Sequence, residues 1–160
     1  MIIYTIGYEG LNIDSFMSLL RENGVETVVD IRELPLSRKP GFSKKVLAST
    51  LSASGFEYTH ISDLGCPKPI RNQYRADGNW RRYKVGFIKH LATQGEAVKE
   101  LVDLAQSSTC ALLCFEADFN LCHRSLVADE VRLSYGMRVS HIQAKRFKIG
   151  VSANLALAFA

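Results

Sequence analysis

Cys122, His123 and Arg124 follow one another at the end of the segment Cys114-Phe-Glu-Ala-Asp-Phe-Asn-Leu-Cys-His-Arg, with Glu116 a short turn upstream. The apolar run before Glu116 predicts a strand, and the residues from Leu121 onward predict a helix. Cys122, His123 and Arg124 then fall in the first helical turn. A helix start offers unpaired amides and partial positive charge, which favour an anion and lower the pKa of a thiol placed there. Arg124 suits a phosphate or carboxylate held by two parallel hydrogen bonds, and Glu116 suits a general acid/base or a grip on a ligand hydroxyl. Cys122 beside His123 suggests a nucleophile, but side chains adjacent on a helix point about 100° apart. The pair is therefore expected to shape an anion loop, with thiol chemistry at Cys122 as an alternative. Cys110 and Cys114 lie inside the apolar strand and read as small buried hydrophobes.

A second segment, Asp30-Ile-Arg-Glu-Leu-Pro-Leu-Ser-Arg-Lys-Pro-Gly-Phe-Ser-Lys-Lys, sends Asp30 and Arg32 out of a strand together. Lys44 and Lys45 sit in the first turn of the helix that Ser43 begins, where they oppose its dipole. An anion bound by Arg32, Ser37, Arg38 and Lys39 would offset that conflict. Asp30 and His60 are expected to orient groups or share protons. Tyr74, Trp80 and Tyr83 interleave with Arg71, Arg75, Arg81 and Arg82, a mixture suited to stacking a base and holding its backbone, or to packing rings on the body. Cys66, His60, Cys114, Cys122 and His123 are metal-ligating types, but their spacing matches no paired C-x-x-C pattern. Neither a metal nor another cofactor is expected.

The elements that must carry these residues follow from periodicity. Ile2 to Ile6, Thr27 to Arg32, Phe56 to Ile61, Cys110 to Glu116 and Arg138 to Ile142 read as short strands, and most lack alternating polarity inside them. Helical spacing appears at Leu11 to Leu20, from Val46 to Gly55, near Arg81 to Thr93, over Glu96 to Ser107 and over Leu121 to Tyr135. The stretch with Pro67, Pro69 and Gly78 reads as the longest loop. Continuous apolar strands alternating with helices predict an α/β, three-layer sandwich with an open, mainly parallel sheet of about five strands. Ligands of such sheets bind outside the carboxyl ends of the strands. Glu9, Asp30, Arg32, His60, Asp63, Glu116 and His141 all fall near those ends, which predicts one shared crevice.

Length and charge bound the rest. The chain has 160 residues, 47% of them hydrophobic and 22% charged, which fits one globular domain and excludes collagen-like, coiled-coil and disordered classes. Residues 1–143 are expected to form that domain, and 144–160 an extension that packs on the body or joins a homodimer. Apolar stretches fall short of the ~20 residues that cross a bilayer, and the N-terminus lacks a signal-peptide pattern. No membrane association is expected, and the location expected is cytoplasmic, with reduced thiols. The net charge of +4 is mild, but it is concentrated: Lys68 to Lys89 holds seven basic residues against Asp77.

The motifs TIGYEG, VDIRELPLSRKPGFSKK, EYTHISDLG and CFEADFNLCHR, in this order, resemble the domain of unknown function 488 family over about residues 2–142. The resemblance implies a single α/β domain with a parallel sheet and highlights Gly7, Asp30, Arg32, Pro35, Ser37, Phe42, His60, Leu64, Gly65, Glu116, Cys122, His123 and Arg124. It implies a site rather than an activity. This chain departs from the pattern at Cys66, where Gly or Asn is expected, which weakens a metal reading. The Cys-x5-Arg loop of sulfurtransferases and cysteine phosphatases is missing. The expected function is that of a hydrolase or transferase acting on a phosphate-bearing small molecule, such as a nucleotide, or on nucleic acid. The alternatives are a non-catalytic nucleotide or nucleic-acid binding module and a sulfurtransferase-like activity at Cys122.

Overall fold

The computed structural model describes residues 1–145. The expectations for residues 146–160, including the homodimer contact through the tail, lie outside the described residues. Five parallel strands form one open sheet: β1 (Ile2–Gly7), β2 (Thr27–Asp30), β3 (Glu57–His60), β4 (Cys110–Cys114) and β5 (Arg138–Ile142), in the order β3-β2-β4-β1-β5. Six helices join them: α1 (Ile13–Glu22), α2 (Lys44–Ala53), α3 (Lys68–Asp77), α4 (Trp80–Leu91), α5 (Gly95–Ser107) and α6 (His123–Tyr135). The expected α/β class holds.

The inner strands β2 and β4 lack alternating polarity because both of their faces are covered. In register, Val28 lies beside Ala111 and Ala111 beside Tyr4, while Val29 lies beside Leu112 and Leu112 beside Thr5. The first row faces a core with Phe16, Leu20, Leu47 and Leu51 of α1 and α2. Ile3, Val29 and Leu112 face the other core, with Phe87, Leu101, Val102 and Val127 of α4, α5 and α6. Period-two alternation thus divides one apolar run between two cores. The Leu113→Ala and Leu112→Ala cavities would open on opposite faces.

The topology decides where a ligand can bind. From β1 to β3 the chain moves one way along the sheet with its helices on one face; it then reverses to β4 and β5 with the helices on the other. Chain leaving β4 goes to one face, and chain leaving its neighbours β1 and β2 goes to the other. A crevice opens at that switch point, beyond the carboxyl ends of these three strands.

One element differs from expectation. The segment predicted as a long loop contains α3, with Pro69 in its first turn and Gly78 as a left-handed C-cap at φ 63°. Proline suits a helix start because the amide it lacks would have no partner there. Ile70 lies close to Gly86 of α4, 3.5 Å from where a Cβ on that glycine would stand, so α3 and α4 form a helical hairpin. Among the described residues, the longest segment without regular structure is instead 31–43, after β2.

Candidate functional site: a cleft at the carboxyl ends of β1, β2 and β4

The turn after β4 brings Glu116 back over the sheet. A Cβ on Gly7 would run into the Glu116 carbonyl oxygen and meet Arg124 Nη1 at 2.9 Å, so only glycine lets β1 and this turn approach so closely. Arg124 is fully buried. Its guanidinium donates to the carbonyls of Glu116 and Ala117 and to Thr5 Oγ1. The expected anion ligand is thus an internal clamp whose donors satisfy the carbonyls of the turn. Cys122 is the N-cap of α6, with its sulfur accepting from the Arg124 amide at 3.5 Å.

Two thiols, an imidazole and a carboxylate meet beneath this turn. Cys114 and Cys122 both donate to Glu116 Oε2, at 2.9 and 3.2 Å. His123 places Nδ1 3.5 Å from Cys114 Sγ and turns Nε2 to the Ile31 carbonyl at 3.0 Å, which makes Nε2 the donor and Nδ1 an acceptor. Cys114 is buried as a small strand residue should be, and it also meets these polar groups; its place in the strand hid those contacts, because the partners arrive only when the turn folds back. Burial would raise the Glu116 carboxyl, but the Cys114 thiol, its own backbone amide, His123 and the Cys122 thiol together hold it below the usual carboxylate range. Burial pushes the Cys114 thiol up and the Cys122 thiol well up. Burial opposes a charged His123, yet Cys122, the Ile31 carbonyl and Glu116 leave it raised. Cys114, Cys122 and His123 are also a set that could ligate a metal, their donor atoms lying within 4.8 Å of one another.

The end of β2 is held by a buried ion pair. Arg32 Nε and Nη2 donate to Asp30 Oδ1 and Oδ2 at 2.9 and 2.6 Å, while Nη1 donates to Tyr8 Oη and the Phe42 carbonyl. Tyr58 Oη donates to Asp30 Oδ2 at 2.6 Å. Arg32 was expected to hold an anion and Asp30 to share protons; each is instead a partner of the other. Burial would lower the Arg32 pKa, but Asp30 beside it leaves it raised. Tyr8 stacks on Phe42 at 4.4 Å, which ties the 31–43 segment to β1. Ser43 makes no side-chain cap for α2; its hydroxyl donates to the Ser37 carbonyl and accepts from the Ser37 amide. Ser37 Oγ in turn accepts from the Lys39 amide. His60 Nε2 donates to the Arg32 carbonyl at 2.8 Å and Nδ1 faces Lys44 Nζ at 3.1 Å, so Lys44 ends on a histidine.

Above these groups lies a cleft of about 500 Å³. Its floor has Arg32, Cys114, Glu116 and His123, and its walls have Tyr8, Ser37, Cys66, Tyr74 and Tyr83. Burial pushes the Cys66 thiol up to about 11, against the lowering influence of Tyr83 and Arg71. Arg38, Arg71 and Arg75 stand at the mouth. Arg71 pairs with Glu33 at 2.5 Å, whereas Arg38 and Arg75 are exposed and make no ion pair among the described residues. Leu34, Leu36, Phe115 and Leu121 also line it, at 57, 76, 44 and 44% exposure.

Of the residues expected to act together, Glu116, His123, Arg32, Ser37, Arg38, Tyr74 and Tyr83 line this cleft; Asp30, His60, Lys39, Cys122, Arg124 and Trp80 stand behind or beside it. Lys39 Nζ reaches the Tyr8 carbonyl at 3.4 Å. Trp80 stacks on Tyr83 with centroids 4.8 Å apart, and Tyr83 is buried, so those two rings pack on each other rather than await a base. Sequence reasoning did not single out Tyr8 or Phe115, and it named Cys114 only among the metal-ligating types. Phe115 carried a signal, since a phenylalanine in the turn after a strand end has little to pack against.

An open parallel sheet with a crevice at its switch point places the chain in the general class of open-sheet α/β folds. Comparison with protein families is more specific. The model described as Domain of unknown function DUF488 matches residues 12–131, well over half of the 160 residues, and the chain belongs to this family. No curated protein and no solved structure matches it.

Proposed function

We propose that this chain is an enzyme, a hydrolase or transferase, that takes a phosphate-bearing nucleotide or nucleic-acid segment into the cleft at the ends of β1, β2 and β4. The observation that carries this reading is the combination in one cleft of unpaired cations, exposed apolar side chains and a carboxylate. Arg38 and Arg75 offer charge for phosphate, Phe115 and Tyr74 offer faces for a base, and Glu116 lies at the floor. Glu116 is held ionised at neutral pH, so its role is that of proton acceptor from water or a ligand hydroxyl. The setting is the cytoplasm, which suits four free cysteines.

The position of the cations favours a second reading, a binding module without turnover. Arg32 and Arg124 spend their donors inside the protein, so the available arginines lie at the mouth and not beside Glu116. A thiol nucleophile at Cys122 is disfavoured by its burial, which keeps the sulfur protonated.

The two readings separate in one experiment with nucleoside triphosphates and short single-stranded oligonucleotides as probes. Glu116→Gln is expected to abolish turnover and leave affinity within a few-fold. Loss of affinity in this variant, with no turnover by the unaltered chain, would establish the binding module instead.

A further inference from the structure

We propose that Cys114, Cys122 and His123 bind one zinc-type divalent metal ion at the floor of the cleft, with Glu116 against its open side. The spacing of the donor atoms carries the inference. Zinc bonds of about 2.3 Å to sulfur and 2.0–2.1 Å to nitrogen, arranged tetrahedrally, place the two donor atoms about 3.5 Å apart. The Cys114 sulfur and His123 Nδ1 are 3.5 Å apart, and the Cys122 sulfur completes a triangle with no side above 4.8 Å.

The surroundings agree with the triangle. A metal-bound histidine ordinarily donates its other ring nitrogen to a carbonyl or carboxylate, which fixes the tautomer and aims the lone pair. His123 does this with the Ile31 carbonyl at 3.0 Å, leaving Nδ1 as the acceptor that faces the thiols. All three residues are buried, as a site that holds its ion against water requires, yet Cys114, Glu116 and His123 border the cleft. Three protein donors with one side open is the arrangement of catalytic zinc sites, in contrast to closed structural ones. Glu116 Oε2, close to both sulfurs, stands where a fourth ligand or a base for a metal-bound water belongs. Two thiolates and an imidazole select zinc over the oxygen-seeking magnesium and calcium.

On loading, the two S–H bonds break, two metal–sulfur bonds and one metal–nitrogen bond form, and two protons leave to solvent; no electrons are transferred. The proposal does not rest on the identity of the cleft's ligand, because its readouts require none.

The test uses the full chain, kept reduced, stripped with a chelator and titrated with Co²⁺ and then Zn²⁺. The expected result is one equivalent of cobalt per chain, a thiolate-to-cobalt charge-transfer absorption, the visible bands of a tetrahedral ion, and displacement of all of these by zinc. Cys114→Ser, Cys122→Ser and His123→Asn should each weaken binding at least about ten-fold, since loss of even an outer-shell partner is felt on that scale. Cys110→Ser, at the far end of β4, should not change it. On the unaltered chain, zinc should slow maleimide labelling of Cys114 and Cys122 in moderate urea, read by mass spectrometry, by more than it slows Cys110, which is buried and gains only from the added stability of the fold. Absence of the charge-transfer band with the unaltered chain, or zinc that protects none of the cysteines, would overturn the proposal.

Discussion

At the residue scale, the site is built on commitments between side chains. Asp30 is fully buried and Arg32 nearly so, and the pair is fixed from several sides by Tyr8, Tyr58 and the Phe42 carbonyl. Breaking such a pair leaves an unpartnered buried charge, which costs about 3–5 kcal/mol, whereas replacing both partners with apolar groups of similar volume costs far less. Arg32→Met is therefore expected to lower unfolding stability by about 3–5 kcal/mol in urea titrations. The double variant Asp30→Leu with Arg32→Met should recover a measurable part of that loss; a strictly additive result would mean the two side chains are not coupled. That Asp30 and Arg32 leave the strand together was legible, because both are polar residues at the end of an apolar run. That they pair with each other was not, since the choice depends on Tyr8 and Tyr58, which reach them from two other segments, and on Phe42, ten residues along the same loop. The burial expected of Cys114 holds, but its contacts with Glu116 and His123 were not legible, because those residues reach it only when the turn folds back.

At the scale of elements, continuous apolar strands announced a covered parallel sheet, and all five strands fall on the segments where strands were expected. Helix α3 was hidden because it has little to bury: none of its residues is buried, and Ile70 and Tyr74 are the large apolar side chains it turns toward the core. Pro67 and Pro69 read as loop markers, yet at a helix start proline is no obstacle. A helix with so little burial should open locally at lower free energy than α5, which buries Ala97, Val98, Leu101, Val102 and Ala105. Hydrogen exchange should accordingly show amides of α3 exchanging well before those of α5. Equal protection of the two helices would mean that α3 opens only with the whole molecule. Since Tyr74, Arg71 and Arg75 belong to α3, the same measurement with a nucleotide present reports whether this wall becomes ordered on binding.

At the scale of the whole molecule, strand order decides which polar residues meet. Because β4 lies between β1 and β2, Glu116, Tyr8 and Arg32 share one crevice, while His60 at the end of the outer strand β3 stands aside. Parallel strands put all the polar ends at one edge, a consequence readable from the alternation of strands and helices. Which of them adjoin required the order of strands, and periodicity carries no information about that. Among the described residues, no helix is long and apolar enough to cross a membrane. The central claim, that this crevice receives an anionic ligand, is tested most directly by following backbone amide resonances during titration with a nucleoside triphosphate at low salt. The predicted shifts gather at Glu9, Ser37, Arg38, Arg75, Phe115 and Glu116 and diminish as salt is added. Shifts confined to the opposite edge of the sheet, around Glu26 and Thr109, would contradict the account.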